Sequence, residues 1–179
     1  PATDRFRNGL GAAVHRLVDD QHCHGPTVAG RVTRNQVTGA GMSAESGVPT
    51  FRDAQTGLWE NFDATALATP EAWADDPATV WAWYQWRVAL VRRVQPNAGH
   101  LALADWARAA HVQIVTQNVD DLHERAGSSE VTHLHGSLFA PRCSRCERAV
   151  DLPDPPEDPV ARLDPPSCPA CGGDGRPGV

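Results

Sequence analysis

Lysine is missing from this chain of 179 residues, and all 16 of its basic residues are arginine. No side chain can therefore form a lysine Schiff base with a carbonyl substrate, and proton-transfer chemistry at neutral pH falls to histidine. Long apolar runs are missing too. No stretch approaches the roughly 20 residues that a membrane-spanning helix needs, and no secretory apolar segment stands near the start, so a cytoplasmic location and no membrane partner are expected. Positive charge is in deficit, with 22 acidic residues and a formal net charge of −6, which argues against nucleic acid as a partner because no broad basic face can be assembled. What remains is about one ordinary domain, 41% hydrophobic, large enough to bury a core.

The richest stretch runs from Thr116 to Ser137. Before it, His111 to Val115 reads as a short interior strand that ends in Thr116, Gln117 and Asn118, and polar side chains at the carboxyl end of a strand are where open α/β sheets bind ligands. Val131 to Leu134 reads as a second strand, which puts His135 at a strand end as well, just before a Gly-Ser turn. Two strand ends would thus deliver Gln117, Asn118, Asp120 and His135 into one crevice. Ordinary loop polar residues are the alternative.

Upstream, Phe6, Leu10, Ala13, Val14, Leu17 and Val18 recur at helical spacing and predict an amphipathic helix over Arg5 to Asp20. His22, Cys23 and His24 could bind a metal by residue type, but adjacent side chains point apart, and Gly25 and Pro26 mark a loop. Arg31 to Thr38 reads as the first strand of a sheet, although Arg34, Asn35 and Gln36 stand where an interior parallel strand normally carries Val, Ile or Leu. Gly39, Ala40, Gly41, Met42, Ser43 and Ala44 follow and fit GxGxxG/A, in which glycine lets the backbone approach a pyrophosphate at a helix start. The loop continues through Phe51 and Arg52 to Trp59. Either an arginine clamp beside a ligand or a surface connector with one buried Phe would account for it.

Asp76 and Pro77 read as the cap and first residue of a helix continuing from Ala78 to Val94 that carries Trp81, Trp83, Tyr84, Trp86 and Arg87. Tyr84 and Arg87 share a face. A hydroxyl and a guanidinium together would suit a bound carboxylate; alternatively, both snorkel to water from a core helix. Pro96, Asn97, Gly99 and His100 open the next helix, with His100 read as structural.

Beyond His135 the chain changes character. Cys143 and Cys146 form one CxxC, Cys168 and Cys171 another, and residues 147–167 separate them. Four thiolates in two such knuckles can close a tetrahedral zinc site with no open position, so the metal should be structural. Disulfides are the competing reading, disfavoured in a reducing compartment. The spacer, rich in Pro and Asp, has little core of its own and should depend on the metal.

GAGMSAESGVPTFR, PNAGHLAL, TQNVDD, LHGS and the paired CxxC knuckles occur in the order found in the sirtuins, and from about Arg31 to Val179 the chain resembles that family of NAD-dependent protein lysine deacylases. Single pieces are common; the combination is highly specific. The resemblance implies an α/β fold, a Rossmann-like parallel sheet that is incomplete here, with a small inserted zinc-binding module built on four cysteines. Residues 1–136 would be the first part of the NAD-binding domain, including a helical insertion at about 60–95, and residues 137–179 the zinc module. It further implies that Gly39, Ala40, Gly41, Ser43, Phe51, Arg52, Gln117, Asn118 and Asp120 hold NAD, that His135 is the general base, and that Cys143, Cys146, Cys168 and Cys171 hold one structural zinc ion. Tyr84 and Arg87 match the pair marking the branch that removes succinyl, malonyl and glutaryl groups. Substrates would be acyl-lysine proteins, and products free lysine, nicotinamide and O-acyl-ADP-ribose. The family pattern continues past Val179 into further strands and a Gly-Thr-Ser loop, so a fragment of a longer protein, or a truncated product, is expected. An ADP-ribosyltransferase and a non-catalytic NAD- and zinc-binding module remain as alternatives.

Overall fold

A computed structural model describes residues 33–50 and 57–179. The expected helix over Arg5 to Asp20, the His22 to His24 cluster, Phe51 and Arg52 lie outside the described residues. Strands β1 (Thr33–Thr38), β2 (His111–Thr116) and β3 (Val131–His133) form a parallel sheet in that order. Alternation shapes the middle strand: Val112, Ile114 and Thr116 are buried while the residues between them are half-buried, so one face of β2 is fully covered. Among the described residues β1 pairs with β2 alone, and its polar residues Arg34, Asn35 and Gln36 are half-buried or exposed. Arg34 is exposed with its guanidinium 5.8 Å over the Trp106 ring, and Val37 is 60% exposed. The third strand is shorter than expected. It stops at His133, although the Leu134 N–H still donates to the Thr116 carbonyl at 2.8 Å.

Between β1 and β2 run α1 (Ala40–Ala44), a 3-10 turn (Gly57–Trp59), α2 (Ala64–Leu67), α3 (Pro70–Asp75), α4 (Pro77–Arg93) and α5 (Ala98–Ala109); α6 (Leu122–Arg125) lies between β2 and β3. Asp76 caps α4 as expected, its carboxylate accepting from the Thr79 N–H at 3.2 Å, with Pro77 at the first helical position. This helix is buried around most of its girth, with Trp81 and Trp83 at 1% and 0% exposure and Gln85 at 1%. A helix whose buried residues lie on most of its faces belongs near the centre. Val80, Trp83, Val88 and Val91 accordingly form the core with Trp59 and Leu138, which accounts for the density of aromatics on this segment.

A second, antiparallel sheet pairs β4 (Ser137–Cys143) with β5 (Gly175–Gly178). Gly136 makes the entry to β4 possible: its φ is +76°, and a Cβ there would stand 1.9 Å from the Gly178 carbonyl oxygen. Among the described residues, the buried apolar cluster local to this part is Val150 with Cys143 and Cys168, so the spacer has little core of its own, as expected. Yet metal is not its sole support. Leu152 and Leu163 pack on the α4 core, the Leu163 N–H donates to the Ala78 carbonyl at 3.1 Å, Arg92 pairs with Asp154 at 2.7 Å, and Arg162 pairs with Asp76. No helix among the described residues is long and apolar enough to cross a membrane.

Candidate functional site

The carboxyl ends of the parallel strands open into a cleft of about 270 Å³. Ala40 and Ser43 reach it from α1, Gln117, Asn118 and Asp120 from the loop after β2, His135 from the turn after β3, and Tyr84 and Arg87 from α4. Eight of the residues singled out in the sequence therefore line one cavity. Gly39 and Gly41 stand beside it at the start of α1, where Gly39, as the N-cap, supplies no side chain to the first-turn amides. Such amides are suited to an anionic ligand.

Asn118 holds the cleft floor together. Its side-chain amide donates to the Gly39 carbonyl at 3.0 Å and to Ser43 Oγ at 2.8 Å, while its backbone N–H donates to Thr116 Oγ1 at 3.0 Å. One side chain thus locks the glycine loop to the end of β2. Asp120, 5% exposed, accepts from the Leu122 N–H at 3.1 Å and turns the chain into α6. A second amide repeats the device from α5. Asn97 donates to the Met42 carbonyl at 2.7 Å and to Ser46 Oγ at 3.0 Å, and it caps its own helix in a box completed by the ring of His100. His100 is fully buried, which agrees with a structural role. Gly99 lies close to α1: a Cβ there would meet Met42 Sδ at 2.9 Å and that side chain would have to shift.

Tyr84 and Arg87 do not snorkel to solvent. Both face the cleft, Tyr84 at 8% exposure and the Arg87 guanidinium 5.2 Å over the Trp83 ring. Burial raises the Tyr84 phenol above its ordinary value against the pull of the Arg87 charge, so the hydroxyl stays protonated and can donate. Burial also lowers Arg87, opposed by Tyr84 and Asp120, yet a guanidinium remains charged in proteins. A neutral donor and a cation lining one cleft are suited to a carboxylate. His135 stands exposed at the mouth, open to a substrate.

Three histidines near the cleft were not identified as a connected group in the sequence. His123, 1% exposed, places Nε2 3.0 Å from Thr38 Oγ1 and its ring 4.7 Å from that of His100; burial, with His100 adding to it, pushes its pKa down to about 4, so it is neutral. His133 sits between the Asn118 carbonyl and Glu124. Its spacing from His135 was a usable signal, but Glu124 lies nine residues away on another element, and no periodicity links the two.

The four cysteines of the CxxC pairs are unbridged, with their sulfurs all within 4.8 Å of one another. Neighbouring sulfurs lie 3.4, 3.5 and 3.7 Å apart, against the ~3.8 Å that four bonds of ~2.3 Å to a tetrahedral zinc would give. Backbone N–H groups of Cys146 and Arg145 pull the Cys143 thiol down to about 6. The Arg148 N–H acts in the same sense on Cys146, but the crowding sulfurs of Cys171, Cys143 and Cys168, together with burial, outweigh it and push that thiol up to about 11. Sulfurs this close, if carried as thiolates, repel one another unless a cation lies among them. The cluster is suited to one zinc ion, with every position filled by sulfur.

Residues 39–179 match the Sir2 family. The chain belongs to that family. It is 62% identical over 146 residues to NAD-dependent protein deacylase 1 of Pseudomonas aeruginosa, covering 79% of this chain and 58% of that protein. To the NAD-dependent protein deacylase of Corynebacterium glutamicum it is 56% identical over 146 residues, covering 79% and 57%. Among solved structures, a Sir2 homolog in complex with NAD superposes with a TM-score of 0.70 at 47% identity, over 82% of this chain and 56% of that one. A Sir2 homologue carrying 2'-O-acetyl-ADP-ribose gives a TM-score of 0.68 at 48% identity, over 80% and 56%. The three parallel strands are this Sir2 family member's share of a Rossmann-like sheet, with the four-cysteine module beside it. The chain spans somewhat more than half the length of the curated relatives it matches.

Proposed function

We propose that this chain forms the base-bearing half of an NAD-dependent protein lysine deacylase that acts on acetyl-lysine and on succinyl- and malonyl-lysine proteins. One observation carries the reading: His135, Asn118, Asp120, Tyr84 and Arg87 converge on a single cleft at the carboxyl ends of parallel strands. The names of its relatives and the NAD-bound solved neighbour support the choice of ligand. Bound NAD would supply an electrophilic ribose carbon with nicotinamide as the leaving group.

The chain's own residues do the rest. The uncapped amides after Gly39, with Ala40, Gly41 and Ser43, take the phosphate end, where Arg52 can clamp phosphate, and Phe51 packs on an apolar ring of the ligand. Gln117, Asn118 and Asp120 hold the nicotinamide end. His135 accepts a proton from a ribose hydroxyl at an imidazole nitrogen, a task suited to histidine near neutral pH. Tyr84 Oη and the Arg87 guanidinium hold the distal carboxylate of a succinyl or malonyl group. Zinc held by Cys143, Cys146, Cys168 and Cys171 takes no part in the chemistry and organises residues 137–179, which act as a module beside the NAD-binding part in 1–136. Four cysteines that serve a metal rather than disulfides suit a reducing, cytoplasmic location. The test is nicotinamide release by the full-length protein with NAD and matched acetyl- and succinyl-lysine peptides. Release that depends on the acylated peptide is expected; folded, zinc-loaded protein that releases none would sink the reading.

A further inference from the structure

His133 closes β3 two residues before His135, and both of its ring nitrogens meet acceptors. Nδ1 lies 2.8 Å from the backbone carbonyl oxygen of Asn118, and Nε2 lies 2.7 Å from Oε1 of Glu124. A carbonyl oxygen and an ionised carboxylate can only accept, so each nitrogen must carry a hydrogen and the ring must be the imidazolium. The carboxylate is ionised: burial pushes Glu124 up, but the His133 hydrogen bond and a backbone N–H hold it below its ordinary value. In return the Glu124 hydrogen bond raises His133 against burial, helped by the Asn118 carbonyl and by the charges of Glu124 and Asp120. The groups facing the ring are thus Glu124 and His123 from α6, Asp120 and the Asn118 carbonyl from the loop after β2, and uncharged Thr116, its register partner on β2. His123, at about 4, stays neutral and adds no competing charge.

The two acceptors bracket one segment. Asn118 begins it and Glu124 ends it, Asp120 lies inside it, and the Asn118 side chain holds Gly39 and Ser43 on the far wall of the cleft. We propose that His133, as an imidazolium, is a positioning residue that clamps residues 118–124 at both ends, and that losing one proton frees one end and weakens dinucleotide binding in the cleft. A neutral imidazole keeps a single N–H, so its other nitrogen turns a lone pair toward an acceptor and that contact becomes repulsive. The raised pKa sets the sign. The clamp's contribution is fully present below the ordinary histidine value of about 6.5 and is lost as pH rises through the higher folded value. This loss lies on the alkaline side. Only the identity of the ligand rests on the proposed function; the clamp is a property of the chain.

The test uses the full-length, zinc-loaded protein. Resonances of the His133 ring and of the Asn118 side-chain amide are followed by NMR as pH rises from below the ordinary histidine value to well above it, and NAD affinity is measured by calorimetry over the same range. His133 is expected to titrate above about 6.5, the Asn118 amide to shift with the same midpoint, and NAD to bind about tenfold more weakly beyond it, a factor worth about 1.4 kcal/mol. Glu124→Gln keeps an acceptor oxygen but removes the charge, so all three midpoints should move together to lower pH. A merely structural contact would move the His133 midpoint alone and leave NAD affinity without a matching shift. His133 titrating at or below its ordinary value, an Asn118 amide indifferent to it, or NAD affinity flat across the midpoint each overturns the inference. If affinity follows the clamp but no acyl-lysine peptide releases nicotinamide, the inference holds and the proposed deacylase activity falls.

Discussion

Around the cleft, side chains reach their places through the protein's own hydrogen bonds: Asn118 on Gly39 and Ser43, Asn97 on Met42 and Ser46, both close to the buried α4. Around Cys143 the supporting material is thin, with Val150 and Cys168 as the buried companions and four sulfurs crowded to between 3.4 and 3.7 Å. The first region is organised before a ligand arrives; the second is arranged for an ion that must organise it. Hydrogen bonds of the chain itself thus hold the sheet ends, while the cysteine cluster is suited to an ion. The two regions meet on α4, through Leu138 on one side and Leu152 and Leu163 on the other.

Removing a metal ligand should break the comparison most severely. Cys168→Ser should lose the zinc, whose apparent binding energy in small metal domains, about 10–16 kcal/mol, exceeds what this thin core can replace. Zinc content and hydrogen exchange in β4 and β5 would report it. Protection in β1 to β3 should survive; a sheet that melts as well would mean the two regions are one folding unit. Smaller in structure but large in rate, His135→Ala should lower acyl-lysine-dependent nicotinamide release by about 10²–10⁴-fold. Because the residue is exposed, stability should change by no more than about 0.5 kcal/mol in thermal unfolding. Arg87→Met tests what the α4 wall recognises. Desuccinylation should fall about 10–100-fold more than deacetylation, and equal losses in a paired peptide assay would remove the carboxylate-reading role. The least effect is expected from Asn97→Ala, which removes a helix cap and two ties to the α1 segment. It should cost about 1–2 kcal/mol in a denaturation midpoint without releasing zinc.

Features carried by local chemistry were legible in advance. Asp76 and Pro77 start α4, and Asn97 starts α5, because capping involves groups only a few residues apart. The CxxC pairs announced a tetrahedral cluster because each knuckle is a tight local turn whose ligands come in fixed pairs. The strand ends carrying Gln117, Asn118 and His135 were legible from an apolar run giving way to polar residues. Other features were not. A polar β1 gives no local sign that it pairs in parallel with β2 over its whole length. Helical spacing put Tyr84 and Arg87 on one face but could not say whether that face met water or a cleft. The spacer's docking on α4 and the bridge from His133 to Glu124 join elements that composition does not connect.

By itself the sequence determined which residues could do chemistry and roughly where each element begins, since caps, alternation and metal knuckles depend on neighbours within a few positions. Only the tertiary structure decided which of those residues share a space, that Tyr84 and Arg87 look inward, that β3 stops at His133, and that this ring holds both ends of one loop. The reason is physical. Periodicity orients a side chain about its own axis, but burial, the loss of solvent around a charge, and the choice of a hydrogen-bond partner depend on what the rest of the chain brings against it.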